Sequence, residues 1–294
     1  MNTDTLKAPL FFGAATALIT PFRDDKIDED ALGGLIDMQI RGGIAALVLC
    51  GTTGESPTIR PEERDRILDF AAARVRGRVP LWMGVGANDT ATTLQRCRSA
   101  AAHGADGLLI VTPYYNKGTH EGVVRLYLAA ADSTDLPVML YNVPSRTGVN
   151  LTMAQIERLS RHPNIRAIKE ASPDLERVGD LCRFFGDRLA VYSGNDTLTL
   201  PTLSLGGVGV VSVTSNLLPA EMQEICMRFR SGDTEDAQRL QLSLYPLMQA
   251  LFAETNPAPV KCAMALRGLC REEMRLPLCP VGDLTRARLA ELLP

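Results

Sequence analysis

Short apolar runs alternate with helix-like segments along most of the chain. Each apolar run has the length of a single β-strand, and after it come a polar loop and a segment with the apolar period of an amphipathic helix. The predicted strands are residues 13–19, 44–49, 81–85, 107–111, 138–141, 166–169, 189–193 and 209–213. The predicted helices between them are residues 29–41, 61–76, 91–103, 120–132, 153–161, 174–185 and 197–204.

This repeated strand–helix pattern predicts an α/β fold, a (β/α)8 TIM barrel of parallel strands. Pro61 at a helix start and Gly104 just past a helix end are typical boundary residues. A doubly wound sheet is the alternative, because the spatial order of the strands cannot be read from the sequence.

The alternation stops after the eighth predicted strand. Residues 219–230, 234–252, 257–269 and 283–293 have helical patterns with no strand between them. We therefore expect a catalytic barrel over residues 1–230 and a C-terminal helical region over 231–294.

Composition excludes several classes of protein. The chain is 46% hydrophobic and 22% charged with a formal net charge of -3, which is ordinary for a soluble globular protein and gives no basic surface for nucleic acid. Residues 1–9 lack the pattern of a signal peptide, and the longest apolar run, near 44–50, is too short to cross a membrane. We expect a cytoplasmic protein with no membrane partner.

Cysteine and histidine give no sign of a metal site. The seven cysteines include no Cys-x-x-Cys spacing, which is typical of reduced thiols in a core. The three histidines form no His-x-His or His-Glu-x-x-His pattern, so a metal-dependent aldolase would lack its ligands.

A lysine lies at the end of the sixth predicted strand. Ile165, Ala167 and Lys169 fall at period two and therefore share one face of that strand. Burying an ammonium is costly unless it is paired or loses its proton, and a neutral lysine is a nucleophile for ketones. The ordinary alternative is a stem that lies along the core while its charge reaches water. Only five of the 31 basic residues are lysines, which favours a special role.

Polar segments follow several other predicted strands. Each has an ordinary explanation by itself, as a turn, a packing aromatic pair, a surface charge or a helix cap. In a barrel, however, the carboxyl ends of all strands meet at one rim, which is where barrel enzymes carry their active site. These segments are 51–56 (Gly-Thr-Thr-Gly-Glu-Ser), 113–117 (Pro-Tyr-Tyr-Asn-Lys), 141–148 (Tyr-Asn-Val-Pro-Ser-Arg-Thr-Gly) and 193–196 (Ser-Gly-Asn-Asp).

Together with 168–172, these segments closely resemble the dihydrodipicolinate synthase family, part of the wider N-acetylneuraminate lyase group of class I, Schiff-base aldolases. The resemblance covers nearly the whole chain, from Phe12 to Lys261. The segment 141–148 is the most discriminating piece, because the sugar-acid lyases carry other residues at the position of Arg146.

The resemblance implies a set of catalytic residues and no cofactor beyond a covalent imine. Lys169 would form that imine with pyruvate, and the resulting enamine would attack aspartate semialdehyde. Tyr141 would relay protons, linked by hydrogen bonds to Thr53 and Tyr115. Because the residue matching Tyr115 reaches into a neighbouring subunit's site in the family, we expect a tight dimer, within a homotetramer.

The resemblance also implies binding residues. The backbone and hydroxyls of Thr52 and Thr53 would hold the pyruvate carboxylate, and Arg146 would bind the semialdehyde's carboxylate through a bidentate fork. Gly194 and Val211 would line the pocket near the lysine.

The chain departs from the family's lysine-inhibited members at three positions. Those members carry histidine at the position of Pro61, histidine or a similar group at Arg64, and glutamate at Thr92. We therefore expect feedback inhibition by lysine to be weak or absent, and strong inhibition of the purified protein by millimolar lysine would contradict this. Ser56, Asn88 and Tyr114 still match the allosteric pocket.

Two other functions are compatible with the same fold. A paralogous pyruvate-dependent aldolase could use the same lysine on a 2-keto-3-deoxy sugar acid, although Arg146 argues against it. A non-catalytic small-molecule binder could have kept the barrel, although it would have no need to retain the whole set of Lys169, Tyr141, Thr53, Tyr115 and Arg146.

Overall fold

The computed structural model describes residues 9–293. The sequence shows no signal-peptide pattern in residues 1–9. All of these except residue 9 lie outside the described residues. The strands are β1 Gly13–Ala17, β2 Phe22–Arg23, β3 Lys26–Ile27, β4 Ala46–Leu49, β5 Leu81–Gly84, β6 Gly107–Val111, β7 Val138–Asn142, β8 Ile165–Glu170, β9 Ala190–Ser193 and β10 Gly209–Ser212. The helices are α1 Glu29–Arg41, α2 Pro61–Val75, α3 Thr90–Ala102, α4 His120–Asp132, α5 Pro144–Thr147, α6 Met153–Leu159, α7 Leu175–Phe185, α8 Thr199–Ser204, α9 Pro219–Ser231, α10 Thr234–Ala250, α11 Ala258–Leu266 and α12 Asp283–Leu292.

Eight of the strands close into a parallel barrel. Around the barrel the order is β1, β4, β5, β6, β7, β8, β9 and β10, and β10 pairs back with β1, with Gly13 opposite Gly209. Helices lie between successive barrel strands. The predicted (β/α)8 barrel is therefore confirmed, and the doubly wound sheet is wrong because the sheet has no open edge.

The apolar side chains form two layers. One fills the inside of the barrel and includes Phe11, Trp82 and Tyr192; the ring centres of Phe11 and Tyr192 are 4.4 Å apart. The other, larger layer lies between the outer face of the strands and the helices. Because both faces of each strand are buried, the strands read as continuous apolar runs rather than alternating ones.

Two short elements differ from the sequence prediction. β2 and β3 form an antiparallel hairpin of two residues each, too short to produce a recognisable pattern. α5 begins with Pro144 within a segment that the polar pattern assigned to a loop. Its four residues are fewer than periodicity can reveal.

The C-terminal part of the described chain is helical, with no strand after Ser212 up to residue 293. α9 and α10 pack against each other across the predicted boundary at residue 230. The division into a 1–230 barrel domain and a 231–294 helical region thus stays a prediction.

Within residues 9–293, no helix combines the length and the apolar character needed to cross a membrane.

Candidate active site

Lys169 lies at the carboxyl end of β8 with its side chain buried. Its neighbour on β7 is Tyr141, and Lys169 Nζ lies 4.3 Å from the centre of the tyrosine ring. Lys169 makes no ion pair with any residue that the structure describes. The amine of Lys169 thus has an aromatic face beside it, and no carboxylate of the described residues pairs with it.

A cavity of about 950 Å³ opens above Lys169, between the barrel rim and the C-terminal helices. It contains a side chain or backbone from most of the polar segments that the sequence placed at one rim. The lining residues that the sequence singled out are Thr52, Thr53, Tyr141, Arg146, Lys169 and Gly194.

Gly194, just after β9, lets the backbone pass close to the lysine. A Cβ at this position would lie 3.0 Å from Lys169 Cε and 2.5 Å from the Cβ of Ala171. The separation from Ala171 is shorter than carbon atoms tolerate and that from Lys169 Cε is tight, so a side chain at position 194 would have to displace Ala171 and press on the lysine.

The turn after β4 presents unused hydrogen-bond donors. The backbone N–H groups of Thr52 and Thr53 donate to no other group in the described part of the chain. The Thr53 hydroxyl oxygen accepts a hydrogen bond from Asn256 Nδ2 at 3.0 Å, which leaves its own proton to be donated elsewhere. Two free amides and one hydroxyl proton in a turn are suited to holding a carboxylate.

Arg146 lies on the short helix α5, with its side chain at the cavity. Its guanidinium donates to the backbone oxygen of Asn256 at 3.1 Å. No carboxylate of the described residues pairs with it, so the planar guanidinium can donate two parallel hydrogen bonds to the oxygens of an anion.

Two of the predicted residues lie apart from this group. Tyr115 is 90% exposed and has a positive φ of 69°, so its ring points into solvent from the described subunit. Val211 is buried in the barrel interior in the same cluster as Tyr141. Tyr141 forms no hydrogen bond with Thr53 or Tyr115 in the described residues.

Asn256, in the segment between α10 and α11, is a site residue that sequence reasoning missed. It is buried and contacts both Thr53 and Arg146, which lie 203 and 110 residues away in the chain. The sequence signal was the Asn-Pro-Ala-Pro-Val-Lys run at 256–261, which contributed to the resemblance without a role of its own.

A buried ion pair between Lys261 and Glu55 anchors the C-terminal helical region, here called the tail, at α11. Lys261 is fully buried and donates to the nearly buried carboxylate of Glu55 and, at 2.8 Å, to the backbone oxygen of Glu273. The second oxygen of Glu55 accepts a hydrogen bond from the backbone N–H of Arg275 at 3.0 Å. Burial lowers the pKa of Lys261, and the neighbouring Glu55 opposes this. The pair joins α11 to the turn that holds Thr52 and Thr53.

A second polar cluster fixes the ends of β7 and β8. Asn142 donates to both oxygens of Glu170 at 2.9 Å, and Arg177 donates to the same carboxylate at 2.7 Å. All three side chains are buried. Because Glu170 follows Lys169 directly, this cluster holds the strand end that carries the lysine.

Histidine, cysteine and carboxylate groups do not gather into a possible metal site anywhere in residues 9–293.

The closed barrel, together with a buried lysine at the carboxyl end of a strand, defines a TIM-barrel enzyme whose lysine can act on a carbonyl substrate. The model of the dihydrodipicolinate synthetase family matches residues 10–294. The chain belongs to this family, and it is an enzyme, a lyase of the class I aldolase type.

Individual proteins agree with this assignment. The 4-hydroxy-tetrahydrodipicolinate synthase of Pelobacter propionicus is 45% identical over 284 residues, which is 97% of this chain and 98% of that protein. The synthase of Nitratidesulfovibrio vulgaris is also 45% identical and covers 96% of this chain and 97% of its own. The solved dihydrodipicolinate synthase of Thermotoga maritima superposes with a TM-score of 0.94 at 41% identity, over 97% of this chain and 98% of that one. The resemblance read from the sequence is confirmed.

Proposed function

We propose that the chain is a 4-hydroxy-tetrahydrodipicolinate synthase, which condenses pyruvate with L-aspartate 4-semialdehyde in the biosynthesis of lysine and diaminopimelate. The observation that carries the proposal is Lys169, buried beside Tyr141 at the base of a cavity of about 950 Å³. The relatives that share 45% of the sequence carry this name. A solved synthase from Acinetobacter baumannii, 38% identical with a TM-score of 0.94, is described as chloride inhibited and complexed with pyruvate.

The reaction begins with an imine. Lys169 Nζ adds to the ketone carbon of pyruvate, water leaves, and the protonated C=N bond withdraws electrons from the adjacent methyl group. Loss of a methyl proton gives an enamine, whose carbon attacks the aldehyde carbon of the semialdehyde, and the aldehyde oxygen takes up a proton. The ring of Tyr141 lies beside Lys169, and the hydroxyl of this tyrosine is proposed to carry these protons.

Two anion-binding groups orient the substrates. The N–H groups of Thr52 and Thr53 and the Thr53 hydroxyl are proposed to hold the pyruvate carboxylate. Arg146 is proposed to hold the carboxylate of the semialdehyde, because it lines the same cavity and has no carboxylate of its own. Gly194 lies beside the lysine, and Val211 lies in the barrel-interior cluster that also contains Tyr141; both are proposed to line the pocket.

The enzyme is proposed to work as a tight dimer within a homotetramer, using no cofactor besides the covalent imine. A tyrosine that is 90% exposed beside a rim segment supports a shared site, in which Tyr115 of one subunit completes the pocket of another. Because the proposed reaction belongs to amino-acid biosynthesis, we place the enzyme in the cytoplasm.

Borohydride trapping tests the proposal. Incubation with pyruvate and sodium borohydride should add one reduced pyruvate adduct, located on Lys169 by intact mass and peptide mapping, and a coupled assay should show turnover of aspartate semialdehyde. The variant Lys169→Arg should lose both the adduct and the turnover. The matched control Lys26→Arg changes an exposed lysine of the β2–β3 hairpin and should keep both.

The other outcomes separate the alternatives. An adduct without turnover of the semialdehyde would direct the search to 2-keto-3-deoxy sugar acids as substrates. A folded protein that forms no adduct would be a small-molecule binder rather than an aldolase.

A further inference from the structure

A second, smaller cavity lies outside the active site, between α2 and α3. Its volume of about 90 Å³ is well above the roughly 10–15 Å³ that a single water requires. Two guanidinium groups line it, Arg64 from α2 and Arg96 from α3. The proposed reaction does not use this cavity.

Arg64 is buried without a counter-charge. It is 3% exposed and donates only to neutral groups: the backbone oxygen and the hydroxyl of Ser56, at 3.3 and 3.0 Å, and the backbone oxygen of Gly84. By contrast, the buried guanidinium of Arg177 pairs with Glu170 at 2.7 Å. Burying a charge without an opposite charge is costly, and buried charges are normally paired. A bound anion would supply the opposite charge that Arg64 lacks.

Arg96 repeats the pattern from the facing helix. Its one hydrogen bond in the described part of the chain runs to the backbone oxygen of Gly86 at 3.4 Å. Burial, together with the charge of Arg64, lowers the pKa of Arg96. Two guanidinium groups that repel each other thus share one cavity.

The carboxylate in the cavity wall is already engaged. Asp65 accepts a hydrogen bond from the Ser99 hydroxyl, and its other oxygen lies 3.8 Å from His103 Nε2. Neither arginine pairs with it. The positive charge of Arg64 and Arg96 is therefore not neutralised by the described residues around them.

We propose that this cavity is a binding site for a small oxyanion of the phosphate type, held between Arg64 and Arg96. A guanidinium has five N–H donors; Arg64 uses three and Arg96 one on the protein, so several remain for the oxygens of an anion. The same positive lining repels an ammonium group. This agrees with the weak lysine inhibition expected from the departures at Pro61, Arg64 and Thr92, all of which line the cavity.

The anion site adjoins the active site. Arg64 donates to Ser56 and Gly84, and Arg96 donates to Gly86. These three residues also line an inner cavity of about 200 Å³, together with Thr52 and Tyr141. An anion that fixes the arginines would therefore also fix part of the wall behind the catalytic residues.

The test is the thermal stability of the full-length enzyme in inorganic phosphate, with the ionic strength held constant by sodium chloride. For the wild type we expect a saturable rise in Tm of about 2–4 °C. Arg96→Gln should abolish this rise, or shift its midpoint to at least about tenfold higher phosphate, because a charge-assisted bidentate contact is lost. Isothermal titration calorimetry should show one site per chain in the wild type.

Arg98→Gln is the matched control, since Arg98 lies exposed on the same helix; it should keep the full response to phosphate. Arg96 is chosen rather than Arg64 because it is only half-buried, so the variant folds. An equal rise in Arg96→Gln, or no saturable rise in the wild type, would overturn the proposal. Because the readout is binding, it is independent of the imine and of the proposed reaction.

Discussion

At the scale of single residues, the site depends on how closely the backbone approaches Lys169. The lysine stem passes Gly194 so closely that a Cβ there would lie 3.0 Å from Lys169 Cε, and it would also meet Ala171. The aromatic ring of Tyr141 closes the other side, 4.3 Å from the ammonium nitrogen. The position of Lys169 Nζ, the proposed nucleophile, is therefore set from two sides by a residue with no side chain and by one with a rigid side chain.

A methyl group at position 194 should displace the lysine. Gly194→Ala would place its Cβ 3.0 Å from Lys169 Cε, and we expect kcat to fall about 10- to 100-fold because the nucleophile moves out of line. Steady-state kinetics and the rate of borohydride trapping would measure this.

Gly34→Ala provides the control, because a Cβ at Gly34 on α1 would meet nothing within 4 Å. Its activity should be unchanged, and its stability equal or higher by about 0.5–1 kcal/mol, since alanine favours a helix over glycine. Equal activity in both variants would show that the close approach at Gly194 has no effect on the reaction.

Local sequence could predict some of these residues and not others. Lys169 was identifiable because period two places it on the apolar face of its own strand. Asn256 was not, because its partner Thr53 lies 203 residues away and no short-range pattern records that contact. Arg64 resembles any other arginine of an amphipathic helix until the structure shows that it is buried without an anion.

At the scale of elements, the barrel strands and long helices follow the sequence pattern to within about three residues at each end. Hydrophobic periodicity predicted these elements because each buries one side against the barrel or against the surrounding helices. Periodicity could not predict how the C-terminal helices pack against the barrel. That depends on contacts such as Lys261–Glu55 and Arg275–Glu63, which join residues more than 200 positions apart.

The buried Lys261–Glu55 pair should be essential to stability. Lys261→Met leaves a carboxylate buried without its ammonium, and we expect a loss of about 3–5 kcal/mol in the free energy of unfolding. Denaturant titration followed by circular dichroism measures it. The double variant Lys261→Met with Glu55→Gln should lose less than the sum of the two single variants, because it leaves no charge alone. Strict additivity would show that the two groups are not coupled.

The contact between α2 and the tail should weaken in acid. Arg275 donates to both oxygens of Glu63 at 2.7 Å, and this hydrogen bonding holds the pKa of Glu63 below its usual range of about 4.5. A carboxylate with a lowered pKa stabilises the fold above its unfolded pKa, and this contribution disappears as the pH falls through the folded value.

Glu63→Gln should therefore cost about 1–3 kcal/mol at pH 7, and this cost should shrink as the pH falls below about 4.5 and through the lowered pKa of Glu63. Thermal melts of both proteins between pH 7 and pH 3 would show the two Tm curves converging in acid. Curves that stay parallel would exclude this carboxylate as a source of the pH dependence.

At the scale of the whole molecule, the sequence predicted a closed barrel from eight repeated units, and the strand order confirms it. The assembly of subunits concerns Tyr115 above all. A large aromatic side chain that is 90% exposed, on a left-handed backbone, projects away from its own pocket. The proposed shared site gives this side chain a function.

Mixed subunits can test the sharing. Lys169→Ala and Tyr115→Phe should each be nearly inactive, the second by about 10²-fold or more if it removes a proton relay. Co-refolding them in equal amounts should restore about a quarter of the wild-type activity, because half of the dimers are mixed and each holds one intact site. A Tyr115 that served its own subunit's pocket would give no recovery, since no mixed dimer would then hold a complete site.

The pairing of Lys261 with Glu55 also sets the stage of protein synthesis at which the site can form. The carboxylate emerges from the ribosome 206 residues before its ammonium partner. At about 5–20 residues per second, this leaves it waiting roughly 10–40 s. During that interval the turn with Thr52 and Thr53 has neither its buried counter-ion nor the amide of Asn256. The nascent chain therefore carries an unfinished pocket until its C-terminal helices appear, and the proposed substrate would find no complete site before the protein is nearly finished.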